Sequence, residues 1–285
     1  MENRILSARH LAAFREHLVR EEKSTATIEK YLRDAGAFLQ YLLGQAVTKE
    51  RTVAYKGHLQ ERGFAISSIN SMLAGVNGLL DFLGWGECKV KNLRFQRQTY
   101  CPEEKELTRE EYIRLLRAAE KQEQLQLLIQ TICATGIRVS ELRYFTVEAM
   151  ERGEVTVRCK GKARRILVPG ELKKLLLAYA AKHHITAGPV FVTKGGRHLD
   201  RSNIWARMKR LCRSAGVDPS KVYPHNLRKL FARCFYGIEK DIAKLADILG
   251  HSSINTTRIY IMTSGTEHRR KIEQLDLVMP KIKTT

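Results

Sequence analysis

The chain has 285 residues, of which 44% are hydrophobic, with a formal charge of +20 and a pI near 9.9. That length is comfortable for two domains, and an excess of Lys and Arg this large repels itself unless a polyanion relieves it, which points to nucleic acid or an anionic surface. No run approaches the roughly 18 apolar residues of a spanning helix, and Met1-Glu2-Asn3-Arg4 lacks the basic-then-apolar order of a signal peptide, so the reading is of a cytoplasmic, nucleoid-associated protein with no membrane partner.

The first ninety residues read as helices. Ile28, Tyr31, Leu32, Ala35, Phe38, Leu39 and Leu42 recur at three- and four-residue steps, which lays one apolar stripe along a helix. Ser24, Thr25 and Thr27 are candidate caps, and Gly44 ends the stretch. A second helix is expected over Lys49 to Glu61, stopped near Gly63. A third begins near Ser67, carries Ile69, Met72, Leu73, Val76, Leu79, Leu80 and Leu83, and breaks at Gly84 and Gly86. Nothing in this part has the residue types of a catalytic site. From Lys89 to Glu106 the periodicity fades and Lys89, Lys91, Arg94, Arg97 and Lys105 alternate with polar residues, the composition of a basic linker. The expected organisation is a helical domain over 1–92, a linker over 93–106 and a second domain over 107–285.

The second domain opens on Thr108 with Glu111 three residues later, a capping-box spacing ahead of Tyr112, Leu115 and Leu116. An apolar helix follows over Leu125 to Ala134, broken by Gly136 just before Arg138, which is read as a helix start. The period then changes. Val155 and Val157 alternate with polar residues, Lys160-Gly161-Lys162-Ala163 intervenes, and Ile166 and Val168 follow, which predicts a β-hairpin with a very basic turn. Helices resume near Glu171, interrupted by the apolar run Pro189 to Val192. Ser202 is the expected cap of a helix bearing Ile204, Trp205, Met208 and Leu211. Short helices are expected near 225–236, 240–249 and 253–262, and an amphipathic tail segment near 267–277. The six cysteines, Cys88, Cys101, Cys133, Cys159, Cys212 and Cys234, contain no CxxC pair and read as reduced thiols rather than a metal site.

Exchange of a phosphodiester needs a nucleophile, cations on the nonbridging oxygens as charge builds, and a proton donor for the departing sugar oxygen. The second domain holds a candidate for each. Arginine suits the clamp because its planar fork binds two phosphate oxygens and stays protonated. Arg138 follows a glycine turn, where a phosphate would also meet free backbone N–H groups. His225 and Arg228 are three apart behind Pro224, on one helix face. His251 lies just past Gly250, and Tyr260 comes nine residues later.

The ordered set Ala134-Thr135-Gly136-Ile137-Arg138-Val139-Ser140-Glu141-Leu142, a Lys-Gly-Lys hairpin, Pro224-His225-Asn226-Leu227-Arg228, then Leu249-Gly250-His251-Ser252-Ser253 ending in Tyr260 resembles the tyrosine recombinase, or phage integrase, family over about residues 107 to 275. The resemblance implies a mainly helical protein with a small β-hairpin, in which a helical, SAM-like core-binding domain precedes a mixed α/β catalytic domain. It implies that Arg138 and Arg228 clamp the scissile phosphate and that Tyr260 attacks it, leaving a 3′-phosphotyrosyl link and a free 5′-hydroxyl. Lys160 on the hairpin would protonate the leaving oxygen, His225 would handle the tyrosine proton, and His251 would hydrogen-bond the phosphate. Glu141 matches a supporting acidic position that steadies its neighbours. Lys162 and Arg164 share the hairpin with Lys160, so the general acid can be assigned to either lysine. Lys229 stands where many members carry a second histidine; it keeps a charge but cannot relay a proton near neutral pH.

The family clamps duplex DNA between its domains. Contacts here are expected from Arg97, Lys105, Lys162, Arg164, Lys194, Arg197, Arg201, Lys209 and Arg213, with His198, Arg201 and Asn203 near base edges. No cofactor or metal is implied. The expected partners are double-stranded core sites, a homotetramer on paired sites from a monomer in free solution, and a directionality factor. The compact chain, without an arm-binding domain ahead of the helical one, suits a simple recombinase that integrates or excises a mobile element. Nicking and resealing as a topoisomerase, or DNA binding without catalysis, are the rival readings; the second predicts a broken catalytic set.

Overall fold

A computed structural model describes residues 4–94, 106–159, 162–193, 195–262 and 265–275. The chain divides into two compact units, Met1–Arg97 and Gln98–Thr285.

The first unit contains α1 (Ala8–Arg20), α2 (Thr25–Leu42), α3 (Lys49–Glu61) and α4 (Ile66–Phe82). Ser24 caps α2 by accepting from the Thr27 N–H, and Thr48 caps α3 through Arg51. Helix α4 starts at Ile66, next to the expected Ser67, and Ala65 at its N-cap makes no side-chain bond. Phe14, Phe38, Tyr55, Ile69, Leu73 and Leu79 meet in the core of the unit. Helix α1 carries no stripe that marks its bounds in the sequence, because it buries only Phe14 and Leu18. The first residues of the expected linker are not free. Asn70 and Asn77, two helical turns apart on α4, each donate to and accept from one backbone unit of the chain that follows. Asn77 pairs with Val90 (2.9 and 3.1 Å) and Asn70 with Leu93 (2.9 and 2.8 Å), so residues 90–93 lie along α4 as a strap.

The second unit contains α5 (Arg109–Ala118), α6 (Glu123–Thr135), α7 (Val147–Arg152), a hairpin of β1 (Glu154–Cys159) and β2 (Lys162–Leu167), α8 (Gly170–Lys182), α9 (Arg201–Ala215), α10 (Pro224–Ile238), α11 (Ile242–Leu249), α12 (Ile254–Arg258) and α13 (Gly265–Glu273). The capping box at α5 forms as spaced: Thr108 N–H to Glu111 Oε2 at 2.8 Å and Glu111 N–H to Thr108 Oγ1 at 3.1 Å. In the hairpin Val155 faces Ile166 and Val157 faces Arg164 in antiparallel register, and the buried Val155, Val157 and Ile166 face the core. Leu115, Leu128, Ile132, Phe145, Leu176, Met208 and Leu227 are fully buried there or nearly so. A satellite cluster of Ala232, Leu245, Leu249 and Tyr260 lies between α10, α11 and the segment after α12.

Three local expectations change. Arg138 does not open an α-helix; it precedes a 3-10 stretch, Val139–Tyr144, because Glu141 folds its carboxylate back onto the Arg138 N–H at 2.8 Å. Helix α9 is capped by Asp200 rather than Ser202, the carboxylate taking the N–H groups of Ser202 and Asn203. Helix α12 ends at Arg258, so Tyr260 sits in a turn beyond it rather than on a helix face. Among the described residues no helix is long and apolar enough to cross a membrane, and Cys88, Cys133, Cys212 and Cys234 are free thiols.

Candidate active site

The site is assembled at helix ends. Helix α6 stops at Gly136, whose φ of +63° is left-handed backbone that glycine adopts at little cost, and a Cβ there would lie 2.4 Å from the Phe231 ring. The freed carbonyl of Gly136 accepts from Arg228 of α10. Helix α11 stops in the same way at Gly250, also at φ +63°. The carbonyl of its last residue, Leu249, accepts from Arg228 Nη2 at 2.6 Å. Two helix C-termini therefore hold one guanidinium, the arrangement that orphan carbonyls and the negative end of the helix dipole favour.

Arg228 is only 1% exposed. Burial, followed by the charge of Arg138, lowers its pKa to about 10. Its Nε is buried without a hydrogen-bond partner among the described residues. Arg138 is more open, its side chain 40% exposed, and bonds Glu141 Oε1 at 3.0 Å and the Gly250 carbonyl at 3.2 Å. Glu141 is 3% exposed and shares its second oxygen with Arg164 at 2.5 Å. One buried carboxylate thus faces two guanidiniums, with a third at Arg228, so the cluster carries excess positive charge and is suited to an anion.

His251 lies half-buried beneath these arginines. Its Nε2 is 3.0 Å from Arg228 Nη2 and its Nδ1 is 2.9 Å from Thr257 Oγ1. A guanidinium only donates, so Nε2 must accept, and the ring's proton sits on Nδ1 and is donated to the threonine. That assignment agrees with the electrostatics. Burial first, then Arg228, Arg138, Arg164 and His225, push the His251 pKa down to about 4, which leaves the ring neutral at pH 7. Thr257 is fully buried and fixes the ring plane.

Tyr260 is 5% exposed, and its hydroxyl lies 3.4 Å from His225 Nδ1, at the long end of hydrogen bonding. Its ring meets those of His225 and His251 edge-on at 5.0 and 4.9 Å, and the Arg228 guanidinium carbon is 5.9 Å from its centroid. His225 keeps an exposed edge. Burial of the rest of the ring lowers its pKa, as do Lys229, Arg228, Arg138 and Arg201, which favours the neutral imidazole.

The structure thus brings together Arg138, Glu141, His225, Arg228, His251 and Tyr260. Lys160 lies outside the described residues, as do Arg97, Lys105 and Lys194, and Lys162 is described in its backbone alone. A groove of about 890 Å³ opens beside the cluster, lined by Arg138, Arg143, His198, Arg201, Trp205 and His225 among others. Arg197, Arg201, Asn203 and Arg213 are exposed. Lys209 bonds the Pro219 carbonyl and covers the Trp205 ring. Arg164, expected from the sequence at a phosphate, is turned inward with its side chain 15% exposed. Sequence reasoning missed Thr257, one of two adjacent threonines with nothing to distinguish it, and the inward course of Arg164, one of two adjacent arginines whose faces a two-residue period separates only once the register is known.

Residues 105–266 match the phage integrase family, and residues 11–87 match the N-terminal SAM-like domain of phage integrases. The chain belongs to the phage integrase family. Membership makes it a tyrosine-type recombinase, and the helical unit plus mixed catalytic unit are the fold of that class. Among relatives, it is 29% identical over 288 residues to the tyrosine recombinase XerA of Pyrococcus furiosus, covering 98% of both chains. The structure of the XerH site-specific recombinase bound to its difH substrate superposes with a TM-score of 0.68 at 18% identity, covering 96% of this chain and 91% of that one. A lambda integrase fragment dimer bound to a core site gives 0.72 at 16% identity, covering 98% and 99%. Identities this low bear on the fold alone.

Proposed function

We propose that this integrase-family protein is a site-specific recombinase that breaks and rejoins duplex DNA through a 3′-phosphotyrosyl intermediate at Tyr260, acting at the core sites of a mobile element. The observation that carries the reading is the placement of the Tyr260 hydroxyl beside His225, with the Arg228 guanidinium over the Tyr260 ring, within a cluster of arginines. Family membership supports recombination, and the XerH and lambda integrase structures, complexes with difH substrate and with a core site, support duplex DNA as the partner.

In this reading the scissile phosphate enters from the groove and is held by Arg138 and Arg228. An unpartnered buried N–H costs about 1–3 kcal/mol, and a phosphate oxygen at Arg228 Nε would recover it. Tyr260 Oη attacks phosphorus as its proton passes to the neutral His225, the P–O5′ bond breaks, and Lys160 supplies the proton the 5′ oxygen takes up. The phosphate remains a diester throughout, so attack by a different 5′-hydroxyl reverses the step, joins new strands and frees Tyr260 without added energy. His251 answers to the phosphate in turn. Burial first and then the arginines hold its pKa near 4; an anion beside it offsets the arginine part and raises the pKa, which favours a protonated Nε2 that donates to the phosphate in place of accepting from Arg228. Recombination proceeds in the cytoplasm on paired sites held by four copies of the chain, with a directionality factor choosing between integration and excision.

The test pairs two labelled duplexes drawn from the DNA flanking the gene with a supercoiled plasmid carrying the same segment. Exchange of strands between the duplexes is the expected result. Relaxation of the plasmid without exchange would assign the same chemistry to a topoisomerase, and binding with neither outcome would leave only a DNA-binding protein.

A further inference from the structure

We infer that Arg164 is a positioning residue of the recombinase site, its guanidinium tying the carboxylate that orients Arg138 to the loop that carries His251. The inference rests on the proposed recombinase chemistry for its consequence and on geometry for its content. Arg164 projects from β2. One nitrogen bonds Glu141 Oε2 at 2.5 Å and another bonds the carbonyl of Ile248, in the last turn of α11 and three residues before His251. Its aliphatic stem and Nε fill the space beside Gly250, where a Cβ would stand 2.7 Å from Cδ and 2.9 Å from Nε. The glycine that turns the chain toward His251 is therefore pressed against this arginine as well as held in left-handed backbone.

Glu141 could not orient Arg138 alone. Its Oε1 holds the Arg138 guanidinium and its Oε2 the Arg138 N–H, but a carboxylate on a single 3-10 turn retains torsional freedom. Arg164 removes that freedom from the far side, and the same guanidinium reaches the end of α11. Three segments distant in sequence, Arg138–Glu141, β2 and the Ile248–His251 corner, then move as one body. Lysine cannot do this, because its single ammonium presents a point charge rather than a fork. Arg164 is also one of the charges facing His251. The others are Arg228 and His225 from α10 and Arg138 just ahead of the 3-10 stretch, with Tyr260 and Thr257 at the ring itself.

Two variants in the full chain separate charge from geometry. Arg164→Gln loses both, whereas Arg164→Lys keeps the charge and loses the fork. The His251 titration is followed by NMR without DNA, and the single-turnover rate of covalent complex formation is measured at saturating duplex alongside the duplex Kd. In Arg164→Gln the His251 midpoint is expected to move up from its wild-type position, and the rate to fall about 10- to 100-fold with Kd changed less than about threefold. In Arg164→Lys the midpoint returns toward wild type while the rate stays about tenfold down. A wild-type rate in Arg164→Lys, or a loss confined to Kd in both variants, would overturn the inference and return Arg164 to the phosphate contacts. Should the unaltered protein form no covalent complex, the recombinase reading fails; an unmoved His251 midpoint in Arg164→Gln would then overturn the placement of Arg164 as well.

Discussion

Arg228 is held by the carbonyls of two helix C-termini, and each of those helices can stop where it does because a glycine follows it. The prediction at this scale concerns Gly136. Gly136→Ala places a methyl 2.4 Å from Phe231 on a left-handed backbone, and we expect a loss of about 2 kcal/mol or more in chemical denaturation. A second prediction concerns pH. His251 has a folded pKa near 4, below the ordinary 6.5, so the unfolded chain binds the extra proton first. The stability contributed by the neutral ring is complete above pH 6.5 and is lost as pH falls from there toward 4, and His225 adds a loss of the same sign. Melting temperatures at pH 7.5 and 5 should fall less in His251→Gln than in the unaltered chain. The residues of the cluster were legible in the sequence because glycine turns and ordered spacings mark them. What the spacing could not show is which hydrogen bonds each residue makes. That Arg228 is buried and Arg138 open, or that Arg164 faces inward while Arg165 stays with Glu154 at the surface, is decided by packing between segments remote in sequence.

The elements were legible wherever one face is apolar and an end is marked. The α2 stripe, the Thr108–Glu111 box and the alternating valines of β1 predict their elements within a residue or two. Elements with a weak stripe were not: α1 buries two residues, and α12 is a single turn whose end places Tyr260 in a loop. The strap along α4 carries the composition of a linker, because asparagines seven residues apart bind backbone and so carry no sequence code for their partner. Within the second unit, Arg233 of α10 bonds Glu106 and the Leu107 carbonyl, and Lys221 bonds Glu111 at 2.9 Å. Asn70→Ala and Asn77→Ala each remove a two-point hold on the strap, and we expect each to cost about 1–2 kcal/mol of stability in the first unit. Limited proteolysis within residues 89–94 should be faster in both variants, and faster still in the double variant. Unchanged cleavage would mean that the amide pairs do not restrain the strap.

At the scale of the whole molecule the charge of +20 is the dominant fact, and family membership gives it a meaning. Exposed Arg197, Arg201 and Arg213, and the groove lined by Arg138 and Arg143, offer the positive surface that a duplex backbone requires. If six to ten phosphates are neutralised, duplex affinity should drop by about 10³–10⁵ between about 50 and 200 mM salt, a slope that titrations at four or five salt concentrations would define. Charge and length indicated two domains and a polyanion from the outset, whereas neither can name a DNA site, which is read by base contacts on few side chains. The account stands on Tyr260 as the nucleophile, and covalent trapping tests that most directly. The protein is incubated with intact and nicked duplexes from the DNA flanking its gene, denatured and digested, and any DNA-linked peptide is mapped by mass spectrometry beside Tyr260→Phe shown to bind the same duplex. The account predicts a phosphotyrosyl peptide at Tyr260, absent from the variant. Tight binding with no covalent species even on nicked duplex, or a link at any other residue, would contradict it.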